Sequence, residues 1–67
     1  MRKEIINKII ELSGLTTKQF AERIQVSAPT VRKWKKGDSE PLFVNQKIIR
    51  QAFKNEVSQA NRMLCLM

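Results

Sequence analysis

The chain has 67 residues, 42% apolar and 28% charged, which suits one small globular domain and excludes a disordered chain. Thirteen Lys and Arg against six Asp and Glu leave a net charge of +7, so an anionic partner is expected, either nucleic acid or an acidic membrane surface. With no histidine and a single cysteine, Cys65, neither a zinc site nor an intrachain disulfide can form; no metal, cofactor or small-molecule ligand is expected.

The opening residues MRKEIINKII are too polar for a signal peptide, and no apolar run approaches the ~18 residues of a membrane span. A cytosolic protein is expected. Ile5, Ile6, Ile9, Ile10 and Leu12 recur at helical spacing and predict a first helix over residues 3–13, ended by Gly14. Thr16-x-x-Gln19 is a capping box, with Leu15 and Phe20 at the flanking staple positions. A short second helix follows from Thr17 to Arg23 or Ile24, its inward face Phe20, Ala21 and Ile24. Ser27 is the next N-cap, with Pro29 in the first turn where its missing N–H costs little. The third helix runs to Lys36 and stops at Gly37.

Beyond the polar turn GDSEP, residues 37–41, the period returns in Ile48, Ile49, Ala52 and Phe53, with Leu42, Phe43 and Val44 expected to pack beneath the start of that fourth helix. The run NEVS, residues 55–58, reads as a break, with Ser58 capping a fifth helix along which Val57, Ala60, Leu64 and Met67 share a side. No segment alternates with period two. The expected fold is all-α: one domain over residues 1–67, a compact bundle of about five short helices, with two of them closely joined at residues 17–36.

The third helix carries the charge. At about 100° per residue from Ala28, Arg32, Lys36, Pro29 and Lys33 fall between roughly 40° and 140°, opposite Trp34 and Val31 at roughly 240° and 300°. One side is apolar and holds the helix to the domain; the other is basic and faces out. No acid lies between Arg23 and Lys36 to form i,i+4 pairs with those cations. Such a face suits DNA twice over. Lys and Arg neutralise phosphates and release counterions, and Arg can donate a bidentate pair to guanine O6 and N7.

The stretch LTTKQFAERIQVSAPTVRKWKKG, residues 15–37, resembles the helix-turn-helix of the Cro/repressor-like (XRE) DNA-binding proteins of phages and bacteria. The shared pattern is Phe20-Ala21, Ile24, Val26-Ser27, Thr30-Val31, Trp34 and Gly37. Phe20, Ala21, Ile24, Val26, Val31 and Trp34 form the wedge between the two helices, and Ala21 is small where the second crosses the first. The resemblance extends over most of the chain and implies a lambda-repressor-like domain. It implies a recognition helix at 28–36 in the major groove of double-stranded DNA, with the preceding helix across the backbone. Carried over by position, Ala28, Pro29, Arg32 and Lys33 face bases; Thr16, Thr17, Lys18, Lys35 and Lys36 meet phosphate. Two departures stand out. Gln25 sits where the family usually has Gly, at a turn that wants a positive φ, and Ala28-Pro29 replaces polar base-reading side chains, which shifts base reading onto Arg32 and Lys33.

The chain ends in Met63, Leu64, Cys65, Leu66 and Met67. Either Leu64 enters the core and the rest frays, or Met63, Leu66 and Met67 make a two-fold dimer contact through the C-terminal helix. The leading expectation is a transcriptional regulator of the Cro or repressor type in a bacterial or phage-infected cell. The alternative is an accessory protein for excision, replication or conjugation of a mobile element. A protein-interaction helix-turn-helix fits less well, because it needs an apolar outer face. No helix combines a basic face with a broad aromatic one for membrane binding. Six scattered acids and no histidine leave no paired acid–base site, so no enzyme is expected.

Overall fold

The computed structural model describes residues 1–65, apart from the side chain of Cys65. They form five helices: α1 (Lys3–Ser13), α2 (Thr17–Arg23), α3 (Ala28–Lys36), α4 (Phe43–Ala52) and α5 (Lys54–Cys65). There is no strand among the described residues. Ile5, Ile6, Ile9 and Ile10 of α1 are all buried and form the floor on which α3 and α5 rest. The stripe is two residues wide, at i, i+1, i+4 and i+5, so α1 serves both neighbours at once.

Local chemistry sets the ends of the first three helices. Gly14 closes α1 in the left-handed region, at φ 72°. Both halves of the capping box at α2 are made. The Gln19 N–H donates to Thr16 Oγ1 at 3.1 Å, and the Thr16 N–H donates to Gln19 Oε1 at 3.0 Å. Ser27 caps α3, accepting from the Thr30 N–H at 3.4 Å, while its hydroxyl meets that of Thr30 at 2.7 Å.

The ends of α2 and α3 share one device. Val26 N–H reaches back to the Ala21 carbonyl and Gln25 N–H to Glu22; likewise Asp38 N–H reaches Lys33 and Gly37 N–H reaches Trp34. Each pair makes up the two hydrogen bonds of a Schellman motif, which needs one left-handed residue. Gly37 fills that position at φ 86°, and Gln25 fills it at φ 62°. The expected positive φ at the turn is therefore present, on a residue with a Cβ. The Gln25 side chain is exposed and makes no packing contribution that glycine would forfeit. Gln25→Gly is expected to raise stability by about 0.5–1 kcal/mol, read as a melting temperature several degrees higher by circular dichroism, roughly 2–8 °C.

The second half of the chain departs from its sequence reading. Leu42, Phe43 and Val44 do not pack beneath α4; they are 70%, 68% and 60% exposed. What fixes the start of α4 is Pro41, which is buried and whose carbonyl accepts from Gln46 Nε2 at 3.0 Å. The inward row of α4 is Asn45, Gln46 and Ile49, with Phe53 beyond. Three consecutive apolar residues on a helix point about 100° apart, so they cannot share that row. Ala52 and Ile48 are also exposed.

The break before α5 lies at Phe53, not in NEVS, and Ser58 is an exposed residue inside the helix. Phe53 N–H closes on the Ile49 carbonyl, and the Phe53 carbonyl opens α5 by accepting from Val57, both at 2.8 Å. One residue ends one helix and starts the next. Its ring is drawn inward to stack on Phe20, with centroids 4.9 Å apart and planes at 23°. That long-range contact outweighs the turn preference of Asn and Ser. Val57 and Ala60 of α5 are buried, and Leu64 packs against the core from a partly buried position. Met63 is 44% exposed. Leu66 and Met67 lie outside the described residues.

Candidate nucleic-acid interface

α3 is held from behind by Val31 and Trp34, which are 0% and 3% exposed. Phe20 and Ala21 of α2 and Ile24 at its C-cap are equally buried, and Val26 packs against this cluster from the turn. A residue of ordinary size at 21 would push the two helices apart. With that wedge in place the outer face of α3 has no freedom to rotate about its axis, so its side chains project in a fixed order. Pro29, Arg32, Lys33 and Lys36 are exposed along it. Ala28 is only half-exposed and packs partly against the core, so less of it faces out than its wheel position implied.

Among the described residues the one ion pair is Lys8–Glu11 on α1, 3.2 Å. Arg32, Lys33 and Lys36 therefore have no acid to give up before meeting an external anion. An anion at this face meets cations that are already unpaired, and the salt dependence of its binding comes from counterions.

The start of α2 lies beside this face. Thr16 and Lys18 are exposed there. Thr17, half-buried, accepts a hydrogen bond from Lys35 Nζ at 3.0 Å. Two of the residues assigned to phosphate by resemblance, one on α2 and one on α3, are thus joined to each other. Lys35 lies at about 340° on the same wheel, near the buried side, which is why it turns toward α2 while Lys36 points away.

Two residues of α1 reach the far end of α3 and were not singled out from sequence as part of this face. Asn7 Nδ2 donates to the Lys35 carbonyl at 3.0 Å, satisfying one of the carbonyls that the last turn of α3 leaves open. Lys3 lays its stem over Gly37, so close that a Cβ there would sit 3.0 Å from Lys3 Cδ. That brings a further cation to the end of α3 already carrying Lys36. Lys3 and Asn7 are four residues apart, a spacing that places them on one helix face, but only the fold shows that this face abuts α3.

Two short helices joined by a tight turn, the second presenting a basic outer face, define a helix-turn-helix. The comparison with protein families agrees: a family model described as helix-turn-helix matches residues 6–56, well over half of the chain. The chain belongs to this helix-turn-helix family, of the XRE type, whose members are DNA-binding regulators. No curated protein and no solved structure matched the chain. No helix among the described residues is long and apolar enough to cross a membrane.

Proposed function

We propose that this chain is a sequence-specific regulator of transcription of the Cro or repressor type, acting by occupying a double-stranded DNA site that overlaps a promoter. The observation that carries the reading is the sorting of α3: Val31 and Trp34 buried, Arg32, Lys33 and Lys36 exposed and unpaired among the described residues. In this reading α3 enters the major groove and α2 lies across the backbone. Arg32 and Lys33 read base edges, with Ala28 and Pro29 near the groove floor where only a thymine methyl offers a contact. Thr16, Thr17 and Lys18 at the start of α2 hold phosphate, and Lys35 and Lys36 do so at the other end of α3. The Lys35–Thr17 hydrogen bond ties those two phosphate-binding ends into one rigid unit, which fixes the register of α3 in the groove.

Selection of binding sites from a random duplex library at near-physiological salt tests the reading. An enriched motif is expected, rich in guanine at the positions nearest Arg32 and Lys33. Absence of enrichment, with binding that fades steeply as salt rises, would leave a nonspecific basic binder and overturn sequence-specific regulation.

A further inference from the structure

Lys35 stands apart from the other cations of the helix pair. It is half-buried, while Lys18, Arg23, Arg32, Lys33 and Lys36 are all exposed. Among the described residues only two side-chain hydrogen bonds join one helix to another, and Lys35 takes part in both. Its carbonyl accepts from Asn7 Nδ2 of α1, and its Nζ donates to Thr17 Oγ1 of α2, each at 3.0 Å. The residue is thus held through its backbone by one helix and through its ammonium by another. Its side chain reaches Thr17 from a fixed starting point.

The hydrogen-bonding capacity of this pair is not used up. A threonine hydroxyl has one proton to give and two lone pairs to receive with, whereas an ammonium gives three protons and receives none. Lys35 places one N–H on a Thr17 lone pair, so the Thr17 proton cannot point back at Lys35 and must turn elsewhere. Thr17 Oγ1 makes no other hydrogen bond among the described residues, and Lys35 has no ion pair among them. One O–H and two N–H groups are left side by side, all of them donors. The ammonium also polarises the hydroxyl and strengthens its O–H as a donor.

A ligand that fits must accept hydrogen bonds, give none, and carry negative charge. A non-bridging phosphate oxygen meets all three conditions. An adenine or cytosine edge, with an amino group to donate, does not. The spacing lets one phosphate serve both residues. A phosphate oxygen accepting from Thr17 at about 2.7 Å lies no more than about 6 Å from Nζ, because Nζ is itself 3.0 Å from Oγ1. That separation is inside the screening length at physiological salt.

We propose, resting on the DNA-binding reading above, that Lys35 is a positioning residue which holds the Thr17 hydroxyl as a donor and shares with it a single backbone phosphate. Lys36 then holds the far end of α3 alone. The shared phosphate fastens α2 and α3 to the same point on the DNA, so the angle at which α3 enters the groove is set by one contact.

A double-mutant cycle on the duplex enriched from the random library tests this. Thr17→Val and Lys35→Met keep the bulk of each side chain and remove the hydroxyl or the charge. Fluorescence anisotropy reads affinity, and phosphate ethylation interference reads which phosphate contact is lost. Each single variant is expected to bind roughly tenfold more weakly, to lose interference at one and the same phosphate, and to keep the preferred sequence. The double variant is expected to lose little more than either single one, because the two residues act as a unit. Thr17→Ser, which keeps the hydroxyl, is expected to bind as the unaltered chain does. A tie that serves only the fold would lower the melting temperature of both variants and leave the interference pattern intact, and that result overturns the proposal. Losses that multiply in the double variant, or that fall at two different phosphates, overturn it as well, since Lys35 is then an independent contact. A chain that binds no duplex overturns the DNA reading and this proposal together; a chain that binds while Thr17→Val costs nothing overturns this proposal alone.

Discussion

Phe20→Ala is expected to leave most of the chain unfolded at 25 °C. Phe20 is fully buried and stacks on Phe53, 4.9 Å between centroids. It is where the first helix pair meets the bend between α4 and α5, so its loss is felt on both sides. Truncating a buried phenylalanine costs about 3–5 kcal/mol, transfer and cavity together. A core in a domain of this size supplies roughly the same 3–5 kcal/mol. The loss is therefore comparable to the whole stability, and no part of the fold is left to absorb it. Urea unfolding followed by circular dichroism checks the expectation. A cooperative transition shifted by less than about 1 kcal/mol would mean that the cavity collapses and that Phe20 is not central. Adding excess DNA is expected to refold part of the variant, because a ligand that binds only the folded state stabilises it by mass action.

Arg32→Ala separates base reading from phosphate binding. Arg32 is exposed and has no ion-pair partner among the described residues, so its removal is expected to leave the melting temperature unchanged. If it donates to a base, the variant loses about 1–3 kcal/mol on the selected site and discriminates less at one base position. Lys36→Ala is the comparison. It is expected to weaken every sequence alike and to lower the slope of log affinity against log salt by about one. Fluorescence anisotropy on the selected site and on single-base variants, at three salt concentrations, reads both quantities. Should Arg32→Ala behave as Lys36→Ala does, Arg32 is a phosphate clamp, and base reading passes to Lys33 or to the shape of the DNA.

The candidate site was legible to unequal degrees. The sorting of α3 into an apolar and a basic side follows from spacing alone, because Val31 and Trp34 fall on the side of the helix opposite Arg32, Lys33 and Lys36. The hydrogen bond between Lys35 and Thr17 was not legible. It joins residues eighteen apart in the chain, and spacing carries no information about which face of α2 meets which face of α3. Lys3 over Gly37 was hidden for the same reason, since α1 meets the end of α3 only after both have docked.

The fold divides along the same line. Helices α2 and α3 begin, and α1 to α3 end, on short-range chemistry: the box of Thr16 and Gln19, the Ser27 cap, and left-handed Gly14, Gln25 and Gly37. Each of these signals acts within six residues, so reading the chain in order is enough to find it. The boundary between α4 and α5, and the exposure of Leu42, Phe43 and Val44, depend instead on where Phe53 and Pro41 are buried. An apolar residue carries the same hydrophobicity whether it faces the core or the solvent. Which of the two it faces is settled by the segments it meets. For α4 that was the stacking of Phe53 on Phe20 from the other half of the chain, and it left the first turn of the helix turned outward.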